Sequence, residues 1–367
     1  MKVTVLKQDL LDAINIVQKA VMPKSTTPIL EGIYMEANEN LKLIGNSFEL
    51  GIQYTVDAQI EQTGSVVLNA RIFGEIVKRL PDAPVSIEVI ENNKVRIECI
   101  NSFFEIFGID GENYPLLPED DNDLQLTLPQ ATLKDLIRQT IFSVGSDENR
   151  KIMTGALMQA ENSEIKMVTL DGFRMAVCRA VIKDNVEFKV IIPGKNMNEI
   201  LRILDTSDNP VKISLSGNTV SFVLENCRIV SNVLDGEFMN YKSYIPSQFE
   251  TVIEINTRDF TESLERASLI SSDVKRYPVR LQIEEDTLTI HSVTDIGVSK
   301  ETLRIENKGS DLIIGFNPKY LIDALKSISD ETVKISFSSS IGPCIITAID
   351  NEDYLYLILP VRLANTR

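Results

Sequence analysis

Apolar residues in the stretch LTLPQATLKDLIRQTIF, residues 126 to 142, fall at helical spacing. Leu133, Leu136, Ile137 and Ile141 make one stripe, while Lys134 and Arg138 project from another side. The phrase recurs as VTVLKQDLLDAINIV at 3 to 17 and VIEINTRDFTESLERAS at 252 to 268, so Leu10, Leu133 and Phe260 correspond, as do Ile14, Ile137 and Leu264. The pattern predicts one supersecondary plan built three times along the chain.

Within each third the plan is a short strand, this helix, then three strands, after which the same order repeats. In the first third, period-two alternation of β-branched and aromatic residues predicts strands over 28 to 38, 41 to 47 and 50 to 60. A second half follows, with a strand at 64 to 69, a helix at 71 to 80, and strands over 85 to 91, 94 to 100 and 103 to 108. Linkers are expected at 115 to 123 (PLLPEDDND) and 245 to 250 (IPSQFE), where proline and polar residues end the patterns. The reading is an α+β protein of three tandem similar domains, 1–122, 123–248 and 249–367, each made of two strand-helix-three-strand units. A third of the 367 residues is about 122, close to the commonest domain size.

The second helix of each third adds chemistry. At a constant offset of 124 residues, Phe73, Met197 and Leu321 align, as do Ile76, Ile200 and Ala324, then Val77, Leu201 and Leu325, then Leu80, Leu204 and Ile328. At the same offset Arg71, Lys195 and Lys319 coincide, and seven residues on Lys78, Arg202 and Lys326 coincide as well. At 100° per residue these two positions lie within about 20° of each other and opposite the apolar stripe, so each helix carries a basic ridge. Glu75, Glu199 and Asp323 stand four residues after the first basic position, so ordinary i,i+4 pairing is one reading of the ridge. Retention of charge at both positions in all three helices suits a shared surface facing a polyanion.

The formal charge of −16 at first opposes a nucleic-acid partner, because phosphate binding needs Lys and Arg to replace counterions. A whole-chain sum is silent on distribution, and acidic runs such as Glu119-Asp120-Asp121 and Glu284-Glu285-Asp286 read as solvated loops. The four cysteines are scattered without CxxC spacing, and there is no basic-then-apolar leader nor an apolar run of membrane-spanning length, so a cytoplasmic, reduced, unanchored protein is expected. An enzyme is disfavoured: the single histidine, His291, sits in the alternating segment TLTIHSV, and no phosphate loop, HExxH or Cys/His metal spacing occurs. No cofactor or metal is expected. Similar domains joined by short linkers form an open solenoid or curve into a closed ring. A ring with helices lining the inside and sheets outside would hold a polyanion by topology through weak, sequence-independent contacts. The rival reading is an acidic repeat scaffold that binds only proteins.

Several strings, in order and at spacing, carry a resemblance: MKVTVLKQDLLDAI at the start, TTPILEGI, LTLPQATLKDLI at 126 to 137, LDGFRMAVC at 170 to 178, VLDGEFMNY at 233 to 241, GFNPKYLIDAL at 315 to 325 and LILPVRL at 357 to 363. Over essentially its whole length the chain resembles the bacterial DNA polymerase III beta subunits, the replication sliding clamps. The resemblance implies a head-to-tail homodimer forming a six-domain ring on double-stranded DNA. It also implies loading by a clamp loader, and use as a processivity factor by DNA polymerase and other clamp-binding-motif proteins.

It further implies a cleft between the second and third domains for short apolar partner peptides. Carried over by position, the wall is Met153, Leu170, Gly172, Phe173, Arg174 and Met175, with Met239 and Tyr244, closed by Pro343 and by Leu357, Ile358, Leu359, Pro360, Val361, Arg362 and Leu363. From the residues alone, Leu357 to Leu359 reads rather as a buried terminal strand and Met153 and Met175 as core; the resemblance reverses that reading. Two departures stand out. Many relatives have Thr-Asp-Gly-His or Tyr-Arg where this chain has Leu170-Asp171-Gly172-Phe173-Arg174, and Phe-Pro-Asp-Tyr where it has Phe238-Met239-Asn240-Tyr241. These predict a softer, more apolar cleft. The implied dimer contact falls on Phe104 and Ile106 of an edge strand against Leu269 and Ile270, which read equally as internal core. Further DNA-facing candidates are Lys24, Arg150 and Lys151, in loops after the first helices of domains one and two. Residues 364 to 367 extend beyond the usual stop, and two readings stand for them: they lie across the cleft, or they are disordered.

Overall fold

The computed structural model describes residues 1–119, 125–270 and 278–363. The tail Ala364–Arg367 and the acidic pair Asp120-Asp121 lie outside the described residues. Six α-helices occur among the described residues: α1 Lys7–Val17, α2 Ala70–Arg79, α3 Gln130–Arg138, α4 Gly194–Leu201, α5 Thr257–Ser268 and α6 Pro318–Ser327. Five of them follow a strand directly, and α6 is separated from its strand by Asn317 alone. For α2, α5 and α6 the last residue before the helix is an asparagine (Asn69, Asn256, Asn317) whose side chain accepts a first-turn N–H at 3.0–3.1 Å. That bond satisfies one of the donors a helix start leaves open.

The repeated stripe is the core. Leu10, Leu133, Phe260, Ile14, Ile137 and Leu264 are buried, as are Phe73, Met197, Leu321, Val77, Ile200, Ala324 and Leu325; Ile76, Leu201, Ile328 and Ile141 are half-buried. Ile141 falls past the end of α3 in a separate single turn, Ile141–Ser143. In the first repeat α1 packs on α2 across Gly74, where a Cβ would stand 2.8 Å from the Gln18 amide nitrogen; the same amide donates to the Ala70 carbonyl at 2.6 Å. No helix among the described residues is long and apolar enough to cross a membrane.

Strands fall where alternation placed them, with two additions. The run expected as one strand over 50 to 60 breaks into Leu50–Val56 and a short Gln59–Gln62, and the third repeat carries a matching extra strand, Glu306–Gly309. The expected strand over 28 to 38 begins as a single helical turn, Pro28–Glu31, before Gly32–Ala37, since proline at the first helical position presets that turn.

Pairing crosses the repeat boundaries, and the chain divides into two compact bodies, Met1–Gln130 with Arg202–Val233, and Ala131–Leu201 with Leu234–Arg367. In the first body, Cys227–Asn232 lies antiparallel on Leu50–Val56 and completes an eight-stranded sheet, beside a five-stranded one that ends on Ser102–Phe107. In the second, Tyr354–Ile358 lies antiparallel on Arg174–Val181 in a nine-stranded sheet, beside a four-stranded one that ends on Gly297–Arg304. The two cross-repeat seams are copies: Asn232 donates its N–H to the Glu49 carbonyl at 3.0 Å, and Leu359 to the Phe173 carbonyl at 2.9 Å.

Candidate functional site

The second body contains an apolar cavity of about 560 Å³. Its first wall is the hairpin joining Glu164–Leu170 to Arg174–Val181. Asp171 closes that turn, its carboxylate accepting the N–H groups of Phe173 at 2.9 Å and Arg174 at 3.0 Å. Gly172 sits at φ +92°, a conformation that glycine adopts without strain. Leu170 and Met175 face each other across the hairpin and Met175 pairs with Leu357, so these three apolar residues form the floor. Alternation then decides the last strand: Leu357 and Leu359 line the cavity, while Ile358, 1% exposed, points into the core beside α6.

The opposite wall comes from the segment after residue 238. Phe238 and Tyr241 are buried in the core behind the floor, and burial raises the Tyr241 phenol above its ordinary value. With those two anchored, Met239, Ser243 and Tyr244 turn to the cavity, and Pro343 closes one end. Phe173 and Tyr244 keep 59% and 56% of their surface exposed, which leaves the rim aromatic and unfilled above a buried floor. This combination of a preformed apolar hollow with few polar groups suits an extended apolar segment.

Arg174 fixes the geometry. It is 9% exposed and every face is used: Nε donates to Asp171 Oδ2 at 3.0 Å, Nη1 to Asp323 Oδ2 at 2.7 Å and Nη2 to the Phe142 carbonyl at 2.6 Å. Its guanidinium lies 4.6 Å from the Tyr320 ring and 5.5 Å from the Phe142 ring. Phe173 stacks on Tyr320 in turn, centroids 6.4 Å apart. A buried cation is tolerable only when paired and hydrogen-bonded on all sides, and this one is.

Of the residues expected in the cleft, Leu170, Gly172, Phe173, Arg174, Met175, Met239, Tyr244, Pro343, Leu357 and Leu359 come together. Met153 instead packs against the core behind the floor. Ile358 faces away. Beyond Leu359 the chain leaves the cavity: Val361 donates its N–H to the Gly315 carbonyl at 2.8 Å and Leu363 covers Gly315, while Pro360 is half-buried and Arg362 is exposed.

The ridge residues Arg71, Lys78, Lys195, Arg202, Lys319 and Lys326 are all exposed. Arg202 lies one residue past the end of α4. Pairing within the helices is uneven. Glu75 bonds Arg79 at 2.9 Å and not Arg71, whereas Asp323 takes Lys319 at 3.5 Å, and Lys326 reaches Glu265 of α5 at 2.6 Å. Lys24, Arg150 and Lys151 are exposed, but of the three expected in loops Arg150 and Lys151 instead fall within the 3-10 helical segment Glu148–Thr154, kinked at Arg150, and Arg150 belongs beside the cavity: its Nη1 lies 3.3 Å from where a Cβ of Gly172 would stand.

Phe104 and Ile106 do lie on an edge strand, Ser102–Phe107, with Phe104 38% exposed and Ile106 half-buried. Leu269 is 81% exposed just past α5, and Ile270 is half-buried. Sequence reading missed three features. Ser243 lines the cavity although nothing in its neighbourhood marks it. Phe103 and Phe107 share the exposed edge with Phe104, a signal present in SFFEIF. The strand Gly297–Arg304 forms the edge of its own sheet with Val298 70% exposed, legible as alternation in GVSKETLR.

Fold and cleft together define a three-repeat clamp-like scaffold with an apolar peptide-sized site and basic helix faces. The match to known proteins is at full length. The N-terminal, central and C-terminal domains of the DNA polymerase III beta subunit match residues 1–118, 127–240 and 242–362. The beta sliding clamp of Bacillus subtilis is 34% identical over 376 residues, covering 99% of this chain and all of the relative. Its crystal structure superposes with a TM-score of 0.96, covering 99% of this chain and 100% of that one at 34% identity. A DNA polymerase III beta subunit structure from Eubacterium rectale superposes at 0.95, with 36% identity and coverage of 98% and 99%. The chain belongs to the DNA polymerase III beta subunit family, with three DNA clamp domains.

Proposed function

We propose that this chain is a non-catalytic sliding clamp: it closes into a ring around duplex DNA and tethers the replicative polymerase and other DNA-processing proteins. The single observation that carries the reading is the match of all three clamp domains in order along the whole chain. The apolar cavity supports the second half of it, since a tether needs a site that accepts many partners. Methionines adapt to varied side chains, and burial contributes about 25 cal/mol per Å² of apolar surface.

In this reading the functional domains are 1–122, 123–248 and 249–367. The cleft residues that meet at the cavity hold client peptides, with Arg150 at its mouth, and the exposed ridges of α2, α4 and α6 face DNA. The ring is a head-to-tail homodimer opened by a clamp loader. Support for the dimer comes from two unpaired strand edges, Ser102–Phe107 with its exposed phenylalanines and Gly297–Arg304 beside Leu269, since open edges invite main-chain pairing with a second copy. The protein is expected to work in the cytoplasm.

The test is topological. Loaded onto nicked circular DNA, the protein should stay bound in high salt and slide off once the circle is linearised. Equal retention on cut and uncut DNA would show ordinary affinity binding and overturn the proposal; loss of all binding to DNA with intact peptide binding would favour the acidic scaffold.

A further inference from the structure

Asp323 occupies an unusual place for a helix-surface carboxylate. It sits on α6, one turn from Lys319, and its Oδ2 accepts two cations: the Arg174 guanidinium at 2.7 Å and the Lys319 ammonium at 3.5 Å. Arg174 is a wall of the cleft, and Lys319 is the exposed first residue of the α6 ridge. The two contacts differ in kind. Arg174 is 9% exposed, so its pairing is held in a poorly solvated setting, whereas Lys319 is 66% exposed and its pairing is weak and screened.

We infer that Asp323 is a positioning residue for the cleft, and that through its shared oxygen it links occupancy of the cleft to the binding of a polyanion at the α6 ridge. This rests on the proposed function in taking the cavity as the peptide site and the ridge as the DNA side. A phosphate that engages Lys319 draws the ammonium away from Asp323. Its Oδ2 then serves Arg174 alone, which fixes the guanidinium and with it the Tyr320–Phe173 stack at the rim. A wall held more firmly loses less freedom when a peptide docks, so DNA tightens peptide binding, and by thermodynamic reciprocity peptide tightens DNA binding. Because the competing contact is an exposed ion pair, the factor is small, about two- to fivefold.

The experiment measures anisotropy of a fluorescein-labelled peptide with leucine, leucine and phenylalanine at alternate positions, with and without a short linear duplex whose ends allow threading, at low salt. In the unmodified protein the duplex should lower the peptide Kd by that factor. Lys319→Met should erase the factor. Lys326→Met removes an equal charge from the same ridge but pairs with Glu265, and should retain it. Asp323→Asn should weaken peptide binding without DNA and lose the duplex effect, and Asp323→Glu should restore part of both. Should Asp323→Asn fail to fold, the two surface lysine variants decide alone. A duplex effect that survives Lys319→Met, or that disappears equally in Lys326→Met, overturns the link. If the unmodified protein does not bind the peptide, the proposed function itself fails and takes this inference with it; peptide binding that the duplex leaves unchanged overturns the link alone.

Discussion

Phe173 is stacked on Tyr320 yet keeps most of its surface in solvent, so it contributes little to the fold and much to whatever enters the cavity. Phe173→Ala is expected to weaken peptide binding about tenfold, as loss of an aromatic anchor does, while leaving the melting temperature within about 1 °C. Titration calorimetry and a thermal melt check both halves. His291 illustrates the opposite case, a lone titratable group with no site. Burial first, then the facing Arg280 and Lys300, hold its imidazole below the usual 6.5, so the folded state disfavours the proton. The unfolded chain binds that proton at higher pH. His291 therefore supports stability above about pH 6.5, and that support drains away as the pH falls below it. His291→Gln should flatten the decline in melting temperature between about pH 7 and pH 5; an unchanged decline would place its origin elsewhere. At this scale the sequence was a good guide to burial and a poor one to partners. Leu133 and Phe260 announce themselves by spacing, but nothing near Arg174 in the chain says that its guanidinium meets Asp323, 149 residues away. The cysteines were read correctly as unpaired: all four are free and buried, and burial pushes Cys178, Cys227 and Cys344 up to about 12, which keeps their thiols protonated and inert.

The helices were legible as elements because one face is apolar at the right period; an asparagine cap precedes α2, α5 and α6 and a proline precedes α3 and α4, while α1 follows Leu6 with no side-chain cap and was marked by its stripe alone. Truncating that face should be expensive: Phe260→Ala, at a fully buried position of α5, is expected to cost about 3–5 kcal/mol by urea unfolding, since the neighbours only partly collapse into the void. Reversing charge on the other face should do the converse. Arg71→Glu, Lys195→Glu and Lys319→Glu together should leave the unfolding midpoint nearly unchanged, yet impair loading or retention on circular DNA. The short strands Gln59–Gln62 and Glu306–Gly309 escaped sequence reading for a physical reason. At four residues each, with mostly exposed polar side chains, they owe their form to the strand beside them and carry no pattern of their own.

For the whole molecule, the triplicate plan was plain in the sequence, whereas the way strands of one repeat complete the sheet of another was not, because pairing across 179 to 181 residues leaves no local trace (Gly51 with Val230, Leu50 with Ser231). The same holds for the cleft. Its hairpin and terminal strand could be aligned to a family, but only the register of Leu357 against Met175 separates the residues that line it from Ile358, which does not. The proposed ring predicts a dimer on sizing in dilute solution, and Phe104→Arg on the exposed edge should shift it to a monomer that still binds peptide. A Phe104→Arg protein that remains dimeric would move the contact off that edge.

The two cross-repeat seams also bear on how the chain can be cut. A fragment ending near residue 118 would part with Cys227–Asn232 and leave Leu50–Val56 as a bare sheet border, its main-chain donors and acceptors unmet. One ending near residue 240 would do the same to Arg174–Val181. Neither piece is a natural stopping point, so a ribosome that stalls at either would release a sticky product rather than a smaller working protein.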